Sequence, residues 1–134
     1  YARDIIGCLN NWVDGWVDWN MVLDKQGGPN WFKNWCVAPV IVKPETDEVY
    51  FTPIYYTLAH FSKFIRPKAK SIETINTDKE LLVTSAKNID GSIAVVVFNE
   101  GMNSKSFSLK LNDKNVNLSI SPQAIQTIII PIKK

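Results

Sequence analysis

The run Gly15-Trp16-Val17-Asp18-Trp19-Asn20, with the loop that follows it through Asn34, is the densest gathering of side chains able to do chemistry. A pyranose ring presents apolar C–H faces that stack on indole, and its hydroxyls need donors and acceptors such as the Trp N–H and the Asn amide. In an α/β barrel the side chains at the C-terminal ends of strands, and the loops after them, build the active site. That placement makes the stretch a candidate sugar-binding surface. The same tryptophans would equally well fill a barrel core.

Acid–base chemistry finds no pair here. Asp14 and Asp18 are the acids near the tryptophans, and four residues along a strand separate them by about 13 Å. A retaining glycosidase needs two carboxyls about 5–5.5 Å apart and an inverting one about 6.5–9.5 Å. Asp18 therefore reads as a carboxylate that orients neighbouring groups or satisfies backbone donors, and Asp14 as a cap or turn residue. His60 falls off the apolar stripe of its helix and reads as an exposed or loosely bonded residue. The sequence carries no glycine-rich phosphate loop, no GxSxG elbow, no HExxH and no EF-hand pattern. Cys8 and Cys36 sit in no metal-type spacing and read as buried free thiols. No metal or cofactor is expected.

The elements that must position these residues follow from periodicity. Ile5, Ile6, Leu9, Trp12 and Val13 lie on one face of a helix that Asp14-Gly15 ends, and residues 16–21 read as a short strand. Gly27-Gly28-Pro29-Asn30 is a loop signal. Thr52-Pro53 predicts an N-cap with Pro at the first helical position, opening a helix to about Ile65 with Ile54, Leu58, Phe61 and Ile65 as its stripe. Helix, strand, long loop, helix is the rhythm of a (β/α)₈ barrel, and one such unit cannot close a barrel.

Composition changes near residue 70. All five Trp and all four Tyr lie before it, and Phe98 and Phe107 are the sole aromatics after it. Residues 66–70 form a polar, proline-containing boundary, so the reading divides the chain into a barrel end, 1–66, and a domain over 71–134. Six strands are expected at 71–77, 81–88, 92–99, 105–111, 116–121 and 125–132. Turn residues such as Asp90-Gly91 and Asn112-Asp113 separate them, which argues for an antiparallel β-sandwich. The fold class is thus α/β plus all-β.

The 134 residues are 46% hydrophobic and 21% charged, ordinary for a globular protein. Eight basic and seven acidic residues stand up to position 70, and seven and six after it. So even a balance of charge excludes a nucleic-acid footprint, which needs a concentrated basic face. No apolar run approaches the roughly 20 residues of a membrane helix. The abrupt opening at Tyr1-Ala2-Arg3, without Met or leader pattern, reads as a fragment of a longer protein.

The motifs Gly15-Trp16-Val17-Asp18-Trp19-Asn20, Gly27-Gly28-Pro29-Asn30-Trp31, Lys33-Asn34 and Tyr56 through Ile65, in that order, together resemble the glucosylceramidases of glycoside hydrolase family 30, and Ile120-Ser121-Pro122 is similar too. The resemblance implies a (β/α)₈ barrel with an attached β-sandwich, and a retaining β-glycosidase acting on β-glucosides such as glucosylceramide or a β-glucan. It implies acid/base and nucleophile glutamates at the ends of strands four and seven, both upstream of Tyr1. No catalytic residue would then lie in this chain, and the chain alone would be inactive. By the same resemblance Trp19 ends strand eight and hydrogen-bonds a sugar hydroxyl, Asn34 contacts the glycone, Trp35 keeps an aromatic lining where the family has Phe, and Asp18 and Trp16 orient the residues that touch sugar. The partners implied are a β-glucoside or glycolipid and the remainder of the barrel, in a secreted or periplasmic setting. The competing reading is a carbohydrate-binding sandwich without catalysis. If the helix faces pack on absent barrel units, residues 1–65 should be loosely ordered.

Overall fold

The computed structural model describes residues 1–131. Helix α1 spans Ala2–Asn10. It stops before Trp12 because Asn11 leaves helical geometry, its side-chain amide donating to the Gly7 carbonyl at 2.8 Å, and Trp12 takes a φ of 67°. The expected stripe is therefore shortened. Ile5 and Ile6 are buried, whereas Trp12 is 90% exposed.

Residues 16–21, expected as a strand, form none. A strand requires a neighbour to take its N–H and C=O groups, and among the described residues no backbone hydrogen bond reaches 14–20. Pairing begins one step later: β1 (Val22–Asp24) runs parallel to β2 (Val40–Lys43), which turns back antiparallel into β3 (Glu48–Phe51). The sequence reading placed no strand at β2 or β3. Each has only four residues, too few for a period to stand out, although the positive φ of Asp47 marks the turn between them.

Helix α2 covers Pro53–Ser62 with Pro at its start, as the Thr-Pro signal predicts. The Thr52 hydroxyl does not cap it. That group donates backwards, toward the carbonyls of Ala38 (3.1 Å) and Pro39 (3.0 Å), tying the helix start to the chain ahead of β2.

Strands β4 (Lys70–Ile72), β5 (Leu81–Lys87), β6 (Ile93–Asn99) and β9 (Ile125–Ile130) form one antiparallel sheet in the order β4-β5-β6-β9. Strands β7 (Lys105–Leu111) and β8 (Lys114–Ile120) make a hairpin closed by Asn112-Asp113, with Asn112 at φ 52°. All six expected strands are present. The first ends at Ile72 rather than 77, and the expected end of the last, 132, lies outside the described residues.

The alternation of β6 organises the core. Val96 faces α1 and α2, packing with Ile5, Ile6 and Phe61, while Val95 and Val97 face the other way onto Leu81 and Ile120, beside Phe107 and Leu109 of the hairpin. The molecule is a three-layer stack of helices, sheet and hairpin. The expectation that the helix faces await absent barrel units is corrected for Ile5, Ile6 and Phe61, which the sandwich sheet covers, while Trp12 stays open. Burying Ile5, Ile6 and Phe61 stabilises this contact by about 1.5–3 kcal/mol each.

Polar ties reinforce it. Buried Asn88 accepts from the Arg66 N–H (2.9 Å) and donates to the Phe64 carbonyl (3.0 Å), pinning the end of α2 to the β5–β6 turn. The Asn10 amide donates to the Val83 carbonyl at 2.8 Å, and Arg3 pairs with Glu100 at 2.5 Å. His60 Nδ1 lies 2.9 Å from the Thr127 hydroxyl, which corrects the loosely bonded reading of that residue. Among the described residues, no helix is long and apolar enough to cross a membrane.

Candidate functional site

β1 ends at Asp24, and the chain then loops out to residue 36 before returning through β2. One carboxylate oxygen of Asp24 accepts from the backbone N–H of Gln26 (2.8 Å) and of Gly28 (2.9 Å). Its own N–H donates to the Gly28 carbonyl at 2.6 Å, and the Gly27 N–H donates to the Asp24 carbonyl at 2.9 Å. These bonds hold the carboxyl of Asp24 below its usual value, first through the Gly28 N–H. Gly27 sits at φ 86°, and a Cβ there would meet the Cys36 nitrogen at 2.7 Å, so only glycine fits this crossing. The Gly28–Pro29 peptide is cis.

The loop meets the end of the segment 16–21 at an open cavity of about 450 Å³ lined by Trp19, Asn20, Pro29, Asn30, Trp31, Phe32 and Asn34. No lining side chain is charged. Trp19 is 79% exposed. Among the described residues neither its indole N–H nor the Asn34 side-chain amide has a hydrogen-bond partner. Three amides and three aromatic rings around one open space can stack on an apolar sugar face and meet its hydroxyls.

The structure brings Trp19 and Asn34 together and leaves the other sequence candidates elsewhere. Trp35 lines none of this cavity; its ring lies 3.5 Å from where a Cβ on Gly28 would stand. The Trp16 N–H donates to the Asp4 carboxylate at 2.6 Å, and its ring meets Tyr1 edge-on at 5.6 Å. Asp18 accepts from the Tyr1 hydroxyl at 3.3 Å, a bond that, after burial, raises the Tyr1 hydroxyl above its usual value. Asp18 and Trp16 line an adjoining groove of about 580 Å³, which shares Trp19 with the first and runs against Tyr55, Leu58 and Lys63 of the α2 side. Asp14 lies in a third depression, beside Trp12 and Arg66.

Sequence reasoning included Asn20, Asn30, Trp31 and Phe32 in its candidate stretch without giving them individual roles, and gave none to Asp24. Their signal was present in the asparagines and aromatics that flank the Gly27-Gly28-Pro29 turn, which brings both ends of the motif to one side. Cys8 and Cys36 are free and half-buried, and the Cys36 thiol donates to the Asn34 carbonyl at 3.4 Å. Among the described residues no group of three or more His, Cys, Asp or Glu could hold a metal ion.

With this geometry in place, two family profiles account for most of the chain. Residues 1–65 match the glycosyl hydrolase family 30 TIM-barrel domain, and residues 68–128 the glycosyl hydrolase family 30 beta sandwich domain. The chain belongs to glycosyl hydrolase family 30, carrying a part of its barrel domain and its β-sandwich. A Caenorhabditis elegans protein with a glucosylceramidase name is 38% identical over 136 residues, covering 96% of this chain and 26% of that protein. The lysosomal acid glucosylceramidase of Mus musculus is 37% identical over 125 residues, covering 91% and 24%. The crystal structure of SrfJ from Salmonella typhimurium superposes with a TM-score of 0.96 at 28% identity, over 99% of this chain and 30% of that one. An endo-beta1,6-glucanase, at 24% identity and a TM-score of 0.87, attests to the fold alone. The chain spans about a quarter of the length of the curated relatives it matches.

Proposed function

We propose that this chain supplies one wall of the glycone pocket, together with the accessory sandwich, of a retaining β-glycosidase that acts on β-glucosides such as glucosylceramide or a β-glucan. The observation that carries the reading is the pairing of two unpartnered polar groups, the Trp19 N–H and the Asn34 amide, in an uncharged aromatic cavity. Trp19 donates to one sugar hydroxyl, Asn34 donates to and accepts from others, and Trp31 and Phe32 cover an apolar ring face. Retention needs two carboxyls about 5–5.5 Å apart. Asp14 and Asp18 line different depressions, so the acid/base and nucleophile belong to the remainder of the barrel, and residues 1–134 alone hydrolyse no glycoside.

The test uses an enzyme of full family length that carries this chain, with an aryl β-glucoside as substrate. Trp19→Phe keeps the stacking area and removes the N–H, and is expected to lower kcat/KM about tenfold. Trp12→Phe, outside the cavity, should leave it unchanged. Equal effects of the two substitutions, or turnover by 1–134 alone above controls, would overturn the reading. The binding-module alternative has less support, because the two aromatics of the sandwich, Phe98 and Phe107, are packed against its cores and offer sugar no platform.

A further inference from the structure

Residues 29–35 carry Asn30, Trp31, Phe32 and Asn34, yet among the described residues no backbone N–H or C=O of theirs bonds to another backbone group. Their course is set at the stem of the loop, where the hydrogen bonds converge on Asp24 and Gly28. Asp24 is itself fixed, because it pairs with Val42 as the last residue of β1. Gly28 lies between two faces: a Cβ there would stand 3.1 Å from the Asp24 carboxylate and 3.5 Å from the Trp35 ring. The carboxylate holds the turn from one side and the indole closes it from the other.

Resting on the glycone-pocket reading, we infer that Asp24 is a positioning residue: its carboxylate transmits the position of the β1-β2-β3 sheet to the 25–36 loop and so places Asn34 and Trp31 beside Trp19. Trp35 acts in the same device as the buttress behind Gly28. Two backbone N–H groups aimed at one carboxylate oxygen form a charge-assisted clamp. The lowered affinity of that carboxyl for protons agrees with the geometry. Asp24 touches no sugar, because it lines no part of the cavity.

The inference separates Asp24→Ala from Asp24→Asn. In the family-length enzyme, loss of the clamp should loosen binding residues without touching the reacting atoms, so Asp24→Ala should raise KM about tenfold with kcat within about threefold. Asp24→Asn keeps an oxygen that accepts both N–H groups, and should return KM to within about threefold of the parent. A merely structural loss would lower the folded fraction, and hence the apparent kcat, at constant KM. On residues 1–134 themselves, the Gln26 and Gly28 amide resonances should titrate with a carboxyl below the usual range, and this titration should vanish in Asp24→Asn. The Trp31 indole and Asn34 amide resonances should shift in Asp24→Ala and recover in Asp24→Asn. Unchanged KM in Asp24→Ala, an Asp24→Asn no better than Asp24→Ala, or amides that do not titrate would overturn the clamp. If the resonances behave as expected while Trp19→Phe leaves kcat/KM unchanged, the glycosidase reading fails and the clamp stands as a loop-positioning device.

Discussion

Two regions of this chain are comparably rich in large apolar residues and use them in opposite ways. In the stack of α1, α2 and the β4-β5-β6-β9 sheet, alternate residues of β6 are spent on two different neighbours, and Val96 is 0% exposed. In the stretch from Trp12 to Val37 most of the large side chains stand open, Trp31 at 92%, with Leu23 of β1 the buried exception and Trp16 half-buried. The first region is satisfied by long-range contacts within the chain. The second has a shaped loop, a fixed stem and rings that face an empty space. An apolar residue type announces that something will cover it; only the fold says whether the cover is the same polypeptide or something brought to it.

The sharpest break of that contrast is Phe61→Ala, in the helix-to-sheet contact. Removal of this ring should cost about 3–5 kcal/mol, and the helices and sheet should melt in one transition by circular dichroism. Two separate transitions would show that the barrel end and the sandwich are independent. Next in size, Asn88→Ala leaves the Arg66 N–H and the Phe64 carbonyl without their buried partner. It should cost about 1–3 kcal/mol in chemical denaturation, with hydrogen exchange accelerated first at the end of α2.

A smaller effect is expected from His60. Burial makes its imidazole harder to protonate in the folded protein than in the unfolded chain, where the ordinary value is 6.5. As pH falls below about 6.5 the unfolded chain gains a proton that the folded form resists. The stabilisation is therefore complete above that pH and declines as pH falls through the lower folded value. Asp24, Asp78 and Asp90 are held below their ordinary 3.8, so their contributions are lost in a separate, more acidic window. Melting temperatures at about pH 7.5 and 5.5 should differ in the parent protein, and the difference should shrink in His60→Gln. The smallest expected change is that of Trp31→Ala. With its ring exposed, stability should stay within about 0.5 kcal/mol, while the family-length enzyme should lose sugar affinity. A large fall in stability would mean that the open region is part of the core.

Much of the fold was legible because it is written in local period and punctuation. The continuous apolar run of 93–98, the alternation of 105–111, and the turn at Asn112-Asp113, specify strands whatever lies above or below them. The Thr52-Pro53 start of α2 and the stripe of α1 are equally local. Of the candidate site, the stretch from Gly15 to Asn34 stood out because its indoles and amides suit sugar chemistry, the resemblance to family 30 singled out Trp19 and Asn34 within it, and the structure sets those two around one cavity. Asp24 did not stand out, since a single aspartate at a strand end looks like any turn residue until Gly28 is seen to fold back onto it.

What the sequence determined by itself was the two helices, the six strands of the second half and the turns between them, and that the chain is a barrel-type segment joined to a sandwich. The tertiary structure decided what those elements face. It turned α1 and α2 onto the sandwich sheet, left 16–21 unpaired, and built β2 and β3 from runs too short to show a period. It also joined Asn88 to Phe64 and His60 to Thr127, the latter across 67 residues. Local patterns reach four or five residues along the chain. Burial and partnership between residues so far apart arise only when the whole chain folds and each surface meets the one that excludes water from it.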